Sequence, residues 1–172
     1  MLPEMGVYST AMELNIPCST SFRGMMTYIA LTKTDKIKAA VVEGAVSDNY
    51  EIIKDRPEME TNVFAELIPN YEKVKEEELT KRSAIKWADK FPKDLPILML
   101  HGNADWRVKP EQSLKLALEL EKFRIPNRLI MFEGGDRGIS EHRDEVNKQV
   151  LNWFDRYLKN AETLPNMKYH GR

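Results

Sequence analysis

From residue 20 onwards, short apolar runs alternate with longer stretches whose apolar residues recur at helical spacing. This is how parallel strands joined by helices read in sequence. Phe22 to Thr32 reads as a helix, and Lys38-Ala-Ala-Val-Val-Glu43 as a strand. Pro96-Ile-Leu-Met-Leu100 is a compact apolar strand ending at His101-Gly102. Pro110 to Phe123 follows as a helix with proline near its first turn, where a missing N–H is tolerated. Arg128-Leu-Ile-Met-Phe132 supplies another strand. After a Glu133-Gly-Gly-Asp136 loop, Ser140 is placed to cap a final helix in which Val146, Val150, Trp153, Phe154 and Tyr157 recur at helical spacing.

Two stretches break this rhythm. Ser47 to about Lys93 is a polar excursion, with short helices predicted around Thr61 to Ile68 and Glu72 to Ala88. Its densest charge run, Glu72 to Arg82, mixes both signs and keeps Val74 and Leu79 as apolar contacts, the pattern of a solvated helix face. Residues 1 to 18 fit poorly, because Pro17 interrupts Glu13-Leu-Asn-Ile-Pro-Cys18 and lacks the N–H that a central strand needs. The expected architecture is α/β: a mostly parallel sheet of about four strands flanked by helices.

The chain has 172 residues, 42% of them hydrophobic, enough for one domain with a single core. Its 26 Lys and Arg balance 27 Asp and Glu, so no strong field draws it to nucleic acid or an anionic membrane. The single cysteine, Cys18, has no partner for an internal disulfide, and no Cys/His spacing matches a structural zinc site. No metal or other cofactor is therefore expected. No signal-peptide pattern and no apolar stretch of about 18 residues is present, which makes a cytoplasmic location the default.

In open α/β sheets, sites form at the carboxyl ends of the strands. Three reactive candidates fall there: Ser21 before the first helix, Asp105 beyond the strand ending at Leu100, and Arg137 beyond the strand ending at Phe132. A serine, then an aspartate, then a third group is the chain order in which α/β-hydrolases place nucleophile, orienting acid and histidine base. Ser21-Phe22-Arg23-Gly24-Met25-Met26 and the helix after it resemble the nucleophile turn of the prolyl oligopeptidase family of serine peptidases, whose usual form is Gly-x-Ser-x-Gly-Gly. Lys38 to Asp48 is similar to the strand and loop that come next in that family. His101-Gly102-Asn103-Ala104-Asp105-Trp106-Arg107-Val108 is similar to its His-Gly-x-x-Asp-x-x-Val segment, and Gly134-Gly135-Asp136-Arg137-Gly138-Ile139 to the loop that carries its histidine.

The resemblance runs from about Ser21 to Leu158. It implies the C-terminal half of an α/β-hydrolase domain over residues 21–160, preceded by a non-family segment, 1–20, and followed by a tail, 161–172. Ser21 would be the nucleophile, Asp105 the orienting acid, and the Phe22 backbone N–H one oxyanion donor, with a peptide or small ester as substrate. The second oxyanion donor comes in the family from the other half of the domain, so the resemblance implies a truncated domain.

The pattern departs from the family where the base should stand. Arg137 occupies the histidine position, and a guanidinium stays protonated with no lone pair to take a proton from serine. Ser19 and Arg23 replace the glycines two residues either side of the nucleophile, where the strained turn leaves little room. His142 on the final helix, His101 at a strand end, and Cys18 or Ser19 as substitute nucleophile are weaker alternatives. Arg137 is instead expected to form a bidentate pair with Asp105. The chain thus reads as a catalytically impaired, peptidase-like hydrolase, or as a non-catalytic scaffold. A half sheet leaves an edge bare, so a homodimer or higher oligomer is expected, with Met5, Val7, Tyr8, Met12 and Leu14 as candidates to cover that edge.

Overall fold

Four strands, β1 (Met5–Ser9), β2 (Ile37–Glu43), β3 (Ile97–Gly102) and β4 (Asn127–Phe132), lie side by side in chain order, and every neighbouring pair is parallel. The computed structural model describes residues 5–9 and 20–171, with side chains from Gly24 onward. Among the described residues six α-helices accompany the strands: α1 (Thr20–Leu31), α2 (Asn49–Asp55), α3 (Ala65–Leu67), α4 (Tyr71–Lys81), α5 (Glu111–Lys122) and α6 (Arg143–Phe154).

Side chains along a strand point alternately to opposite faces, and the two cores follow that period. Ala40, Val42, Ile97 and Met99 face α1 and α5, packing with Tyr28, Leu31, Leu116 and Leu120. Ala39, Val41, Leu98 and Leu100 face α6, packing with Val146, Val150, Trp153 and Tyr157. The pairing of Ala40 with Ile97 and Val42 with Met99 keeps each row on one face. Each fully buried Leu or Ile contributes about 1.5–3 kcal/mol, so a one-residue slip between β2 and β3 would invert both rows and is strongly disfavoured. Strands that step in one direction through right-handed crossovers put their connecting helices on one face, which is why α1 and α5 share a core and α6, after the last strand, takes the other side.

The expected helix over Glu72 to Ala88 is broken. α4 stops at Lys81, Ser83 is extended (φ −104°, ψ 96°), and a 3₁₀ stretch, Ala84–Lys90, follows. The Ser83 hydroxyl donates to the Leu79 carbonyl (2.7 Å) and accepts from the Asn49 N–H (2.9 Å), a local alternative to the helical ladder. α2 was not foreseen; the Asp48 carboxylate starts it by accepting from the Tyr50 N–H at 3.0 Å. The excursion closes over a third cluster that includes Met25, Val46, Phe64, Leu79 and Val108. Residues 1 to 18 do contribute a strand, since Pro17 lies well beyond Ser9, the last residue of β1. Ser140 opens a 3₁₀ turn, Ser140–His142, and His142 is the N-cap residue of α6. Among the described residues no helix is long and apolar enough to cross a membrane.

Candidate active site

β3 runs into His101 and Gly102, and a tight turn, closed by the Asp105 N–H on the Gly102 carbonyl (3.2 Å), presents Asp105. The carboxylate is 1% exposed. Its Oδ1 accepts from the backbone N–H groups of Arg107 (2.9 Å) and Val108 (3.0 Å). The wholly buried His101 braces the loop from below, with Nε2 donating to the Val108 carbonyl at 2.8 Å and Nδ1 2.7 Å from the Ser113 hydroxyl. A carbonyl only accepts, so Nε2 carries the proton. Both ring nitrogens are thereby committed to holding the loop.

The loop after β4 is fastened to this one through backbone. Ala104 N–H donates to the Gly135 carbonyl (2.9 Å), Asn103 N–H to the Phe132 carbonyl (2.9 Å), and Gly134 N–H to Asn103 Oδ1 (2.7 Å). Glycine is required at 102, because a Cβ there would overlap the Gly135 and Asp136 carbonyls. Asp136 shapes the next turn by accepting from the N–H groups of Gly138 (2.8 Å) and Ser140 (3.1 Å); the Ser140 N–H, foremost, holds its carboxyl below the usual range. Arg143 finishes the loop, pairing with the buried Glu43 at the end of β2 (3.1 Å) and donating to the Gly138 carbonyl.

These restraints set Arg137 against Asp105. Nη1 lies 2.8 Å from Asp105 Oδ2 and also donates to the Gly44 carbonyl. Gly44 has a left-handed backbone (φ 51°), and a Cβ there would collide with Nη1. The pair is single-pronged, contrary to the bidentate form expected, because Oδ1 is already taken by two backbone donors. Nε and Nη2 of Arg137 are buried, with no hydrogen-bond partner among the described residues. Burial pushes the Asp105 carboxyl up, but the His101 imidazole 3.6 Å away, the Arg137 charge and the Val108 N–H outweigh it and leave the carboxyl below its ordinary value.

Ser21 and Phe22 fall in the first turn of α1, so the Phe22 N–H is among the helix's first four, which have no intrahelical acceptor. The side chains of Ser21, Phe22 and Arg23, together with Cys18 and Ser19, lie outside the described residues. β1 ends at Ser9 and α1 begins at Thr20. The close approach of α1 to the end of β2 is made at Gly24, whose added Cβ would overlap Ala45 Cβ. His142 sits in the 3₁₀ turn, not on α6. Its Nε2 donates to the Glu133 carbonyl (2.8 Å) and its ring packs on Phe132.

Two contributors carried no motif. Gln112 on α5 accepts through Oε1 from the N–H groups of Ser47 (2.8 Å) and Asp48 (2.7 Å), tying the loop beyond Gly44 to the helix beyond Asp105. Trp106, 70% exposed, lies beside Asp105 with the guanidinium groups of Arg56 and Arg107 5.8 and 5.3 Å from its ring centre. A buried glutamine is unusual enough to flag from a structure, but neither residue stands out in one sequence.

The sequence profile of the prolyl oligopeptidase family matches residues 20–161. The chain is 26% identical over 151 residues to the "uncharacterized peptidase YuxL" of Bacillus subtilis (strain 168), covering 80% of this chain and 21% of that protein. In structure it is similar to a puromycin-hydrolyzing peptidase of Mycobacterium tuberculosis (TM-score 0.68, 25% identity, 89% of this chain and 22% of that one). It shares its fold with the acylaminoacyl peptidase of Pyrococcus horikoshii (TM-score 0.72, 22% identity, 96% of this chain and 25% of that one). The chain therefore spans a quarter or less of the length of these relatives. With a match over most of its residues and an α/β-hydrolase sheet beneath them, the chain belongs to the prolyl oligopeptidase family.

Proposed function

We propose that this chain is a serine-peptidase-type hydrolase module whose acid–base relay has been replaced by a fixed ion pair, leaving it without appreciable turnover of peptides or esters. The observation that carries this reading is Arg137 Nη1 standing 2.8 Å from Asp105 Oδ2, where an orienting acid would otherwise hold an imidazole. A guanidinium has no lone pair with which to accept the serine proton. Nor do the three histidines supply a substitute: His101 and His142 are hydrogen-bonded within their own loops, and His170 is exposed in the C-terminal stretch. Removing one member of such a triad leaves only a residual ~10³–10⁴-fold catalysis over water in well-studied cases. If substrate still binds, a peptide is the class that the family's peptidases suggest.

The test is intact-mass spectrometry before and after incubation with a fluorophosphonate, which labels activated serines. The expected result is no adduct, together with no cleavage of chromogenic peptides above background. A stoichiometric adduct mapped to Ser21 would overturn the reading.

A second reading, a self-associating scaffold, is favoured by β1, which has one neighbour in the sheet among the described residues and so leaves one side of its ladder for another strand. Light scattering across a concentration series checks it, and a monomer at every concentration removes it.

A further inference from the structure

We propose that Arg137 is a carboxylate-binding site, taking the carboxyl terminus of a peptide or a small acid on the edge of its guanidinium that Asp105 leaves unused. A guanidinium offers five N–H donors in a plane, and its Nε–Nη2 edge matches the two oxygens of a carboxylate. Asp105 and the Gly44 carbonyl both take Nη1. Nε and Nη2, which form that edge, have no partner among the described residues, in a side chain only 12% exposed.

Unmet buried donors are costly and rare in native proteins. The arrangement around them is held from several sides: Asp105 by two backbone N–H groups and His101, and the Arg137 loop by Gly102, Asp136 and Arg143. The charge is thus fixed in place with a carboxylate-shaped pair of donors left over. Asp105 cannot turn to fill them, because its Oδ1 is already engaged. The site also lies at the carboxyl ends of the strands, the usual position of ligands in open α/β sheets. Entry of a ligand requires the cover over Nε and Nη2 to part, and the bonds then formed restore what the unpaired donors had lost. Trp106, exposed one residue beyond Asp105, offers an apolar surface at the same loop.

This proposal does not depend on the loss of catalysis. An adduct on Ser21 would defeat the reading given above and leave this one standing; failure to bind a carboxylate would do the reverse. The experiment is a titration of the full chain, followed through its ¹H–¹⁵N spectrum including the arginine Nε–H region, with N-acetylglycine, N-acetylglycinamide and inorganic phosphate. N-acetylglycine is expected to shift the Arg137 Nε–H signal saturably, the amide to bind at least about tenfold more weakly, and phosphate more weakly than the carboxylate. Arg137→Met is expected to weaken N-acetylglycine binding by at least about tenfold, and Arg137→Lys, which keeps the charge and loses the fork, to fall between. Equal response to acid and amide, binding of phosphate alone, or no response in the unaltered chain would each overturn the proposal without recourse to any variant.

Discussion

Replacing Arg137 with methionine removes the charge opposite Asp105 while keeping a side chain of similar reach. Breaking a buried pair by deleting one partner costs about 3–5 kcal/mol, because a charge is left uncompensated. Here part of that cost is offset. Two nitrogens of Arg137 are themselves unpaired, and their removal returns about 1 kcal/mol or more. Asp105 also retains the N–H groups of Arg107 and Val108. The net expectation is a loss of about 2 kcal/mol at pH 7, read as a lower urea midpoint at unchanged slope. The pH dependence gives the sharper check. The Asp105 carboxyl is held below its ordinary value in the folded chain, so its ionisation adds stability above about pH 4, and that contribution fades as pH falls through the depressed folded value. Without Arg137 one of the influences that hold the carboxyl down is lost, the carboxyl rises, and as pH falls the variant takes up its proton before the parent does. The gap between the two proteins is therefore full at pH 7 and narrower at pH 3.5. A gap of equal size at both pH values, or one below about 0.5 kcal/mol at pH 7, would refute the reasoning.

Gly102→Ala sets a methyl against the Gly135 and Asp136 carbonyls, and backbone cannot yield as a side chain can; a loss of about 3 kcal/mol is expected in thermal or urea unfolding, and wild-type stability would show that the two loops are not in contact. Gln112→Ala strips the acceptor from the Ser47 and Asp48 N–H groups, so a loss of about 2–4 kcal/mol is expected, with hydrogen exchange accelerated at those two amides before the rest of the sheet.

The sheet was legible because β2, β3 and β4 are short apolar runs with turn residues at their ends, and each falls within two residues of its expected bounds. β1 was hidden by reading Pro17 as part of its neighbourhood, when the strand ends at Ser9. Breaks inside the excursion escaped because they depend on a tertiary bond: Ser83 stops a helix by also serving the Asn49 N–H, which no local pattern announces. At the site, residue identity foretold the meeting of Arg137 with Asp105 but not its form. Which oxygen is free is decided by the N–H groups of Arg107 and Val108, and backbone donors leave no trace in side-chain spelling.

The order β1-β2-β3-β4 has a consequence for how the chain reaches its structure. Among the described strands each pairs with the one before it in the chain, so every pairing can close as soon as its second strand has emerged, although the β2–β3 pair spans a long excursion. Arg137, the last of the three candidate residues to emerge, reaches Asp105 only as the loop after β4 docks on the turn after β3. The ion pair is then a late fastening on a finished frame, and lesions there should speed unfolding more than they slow folding.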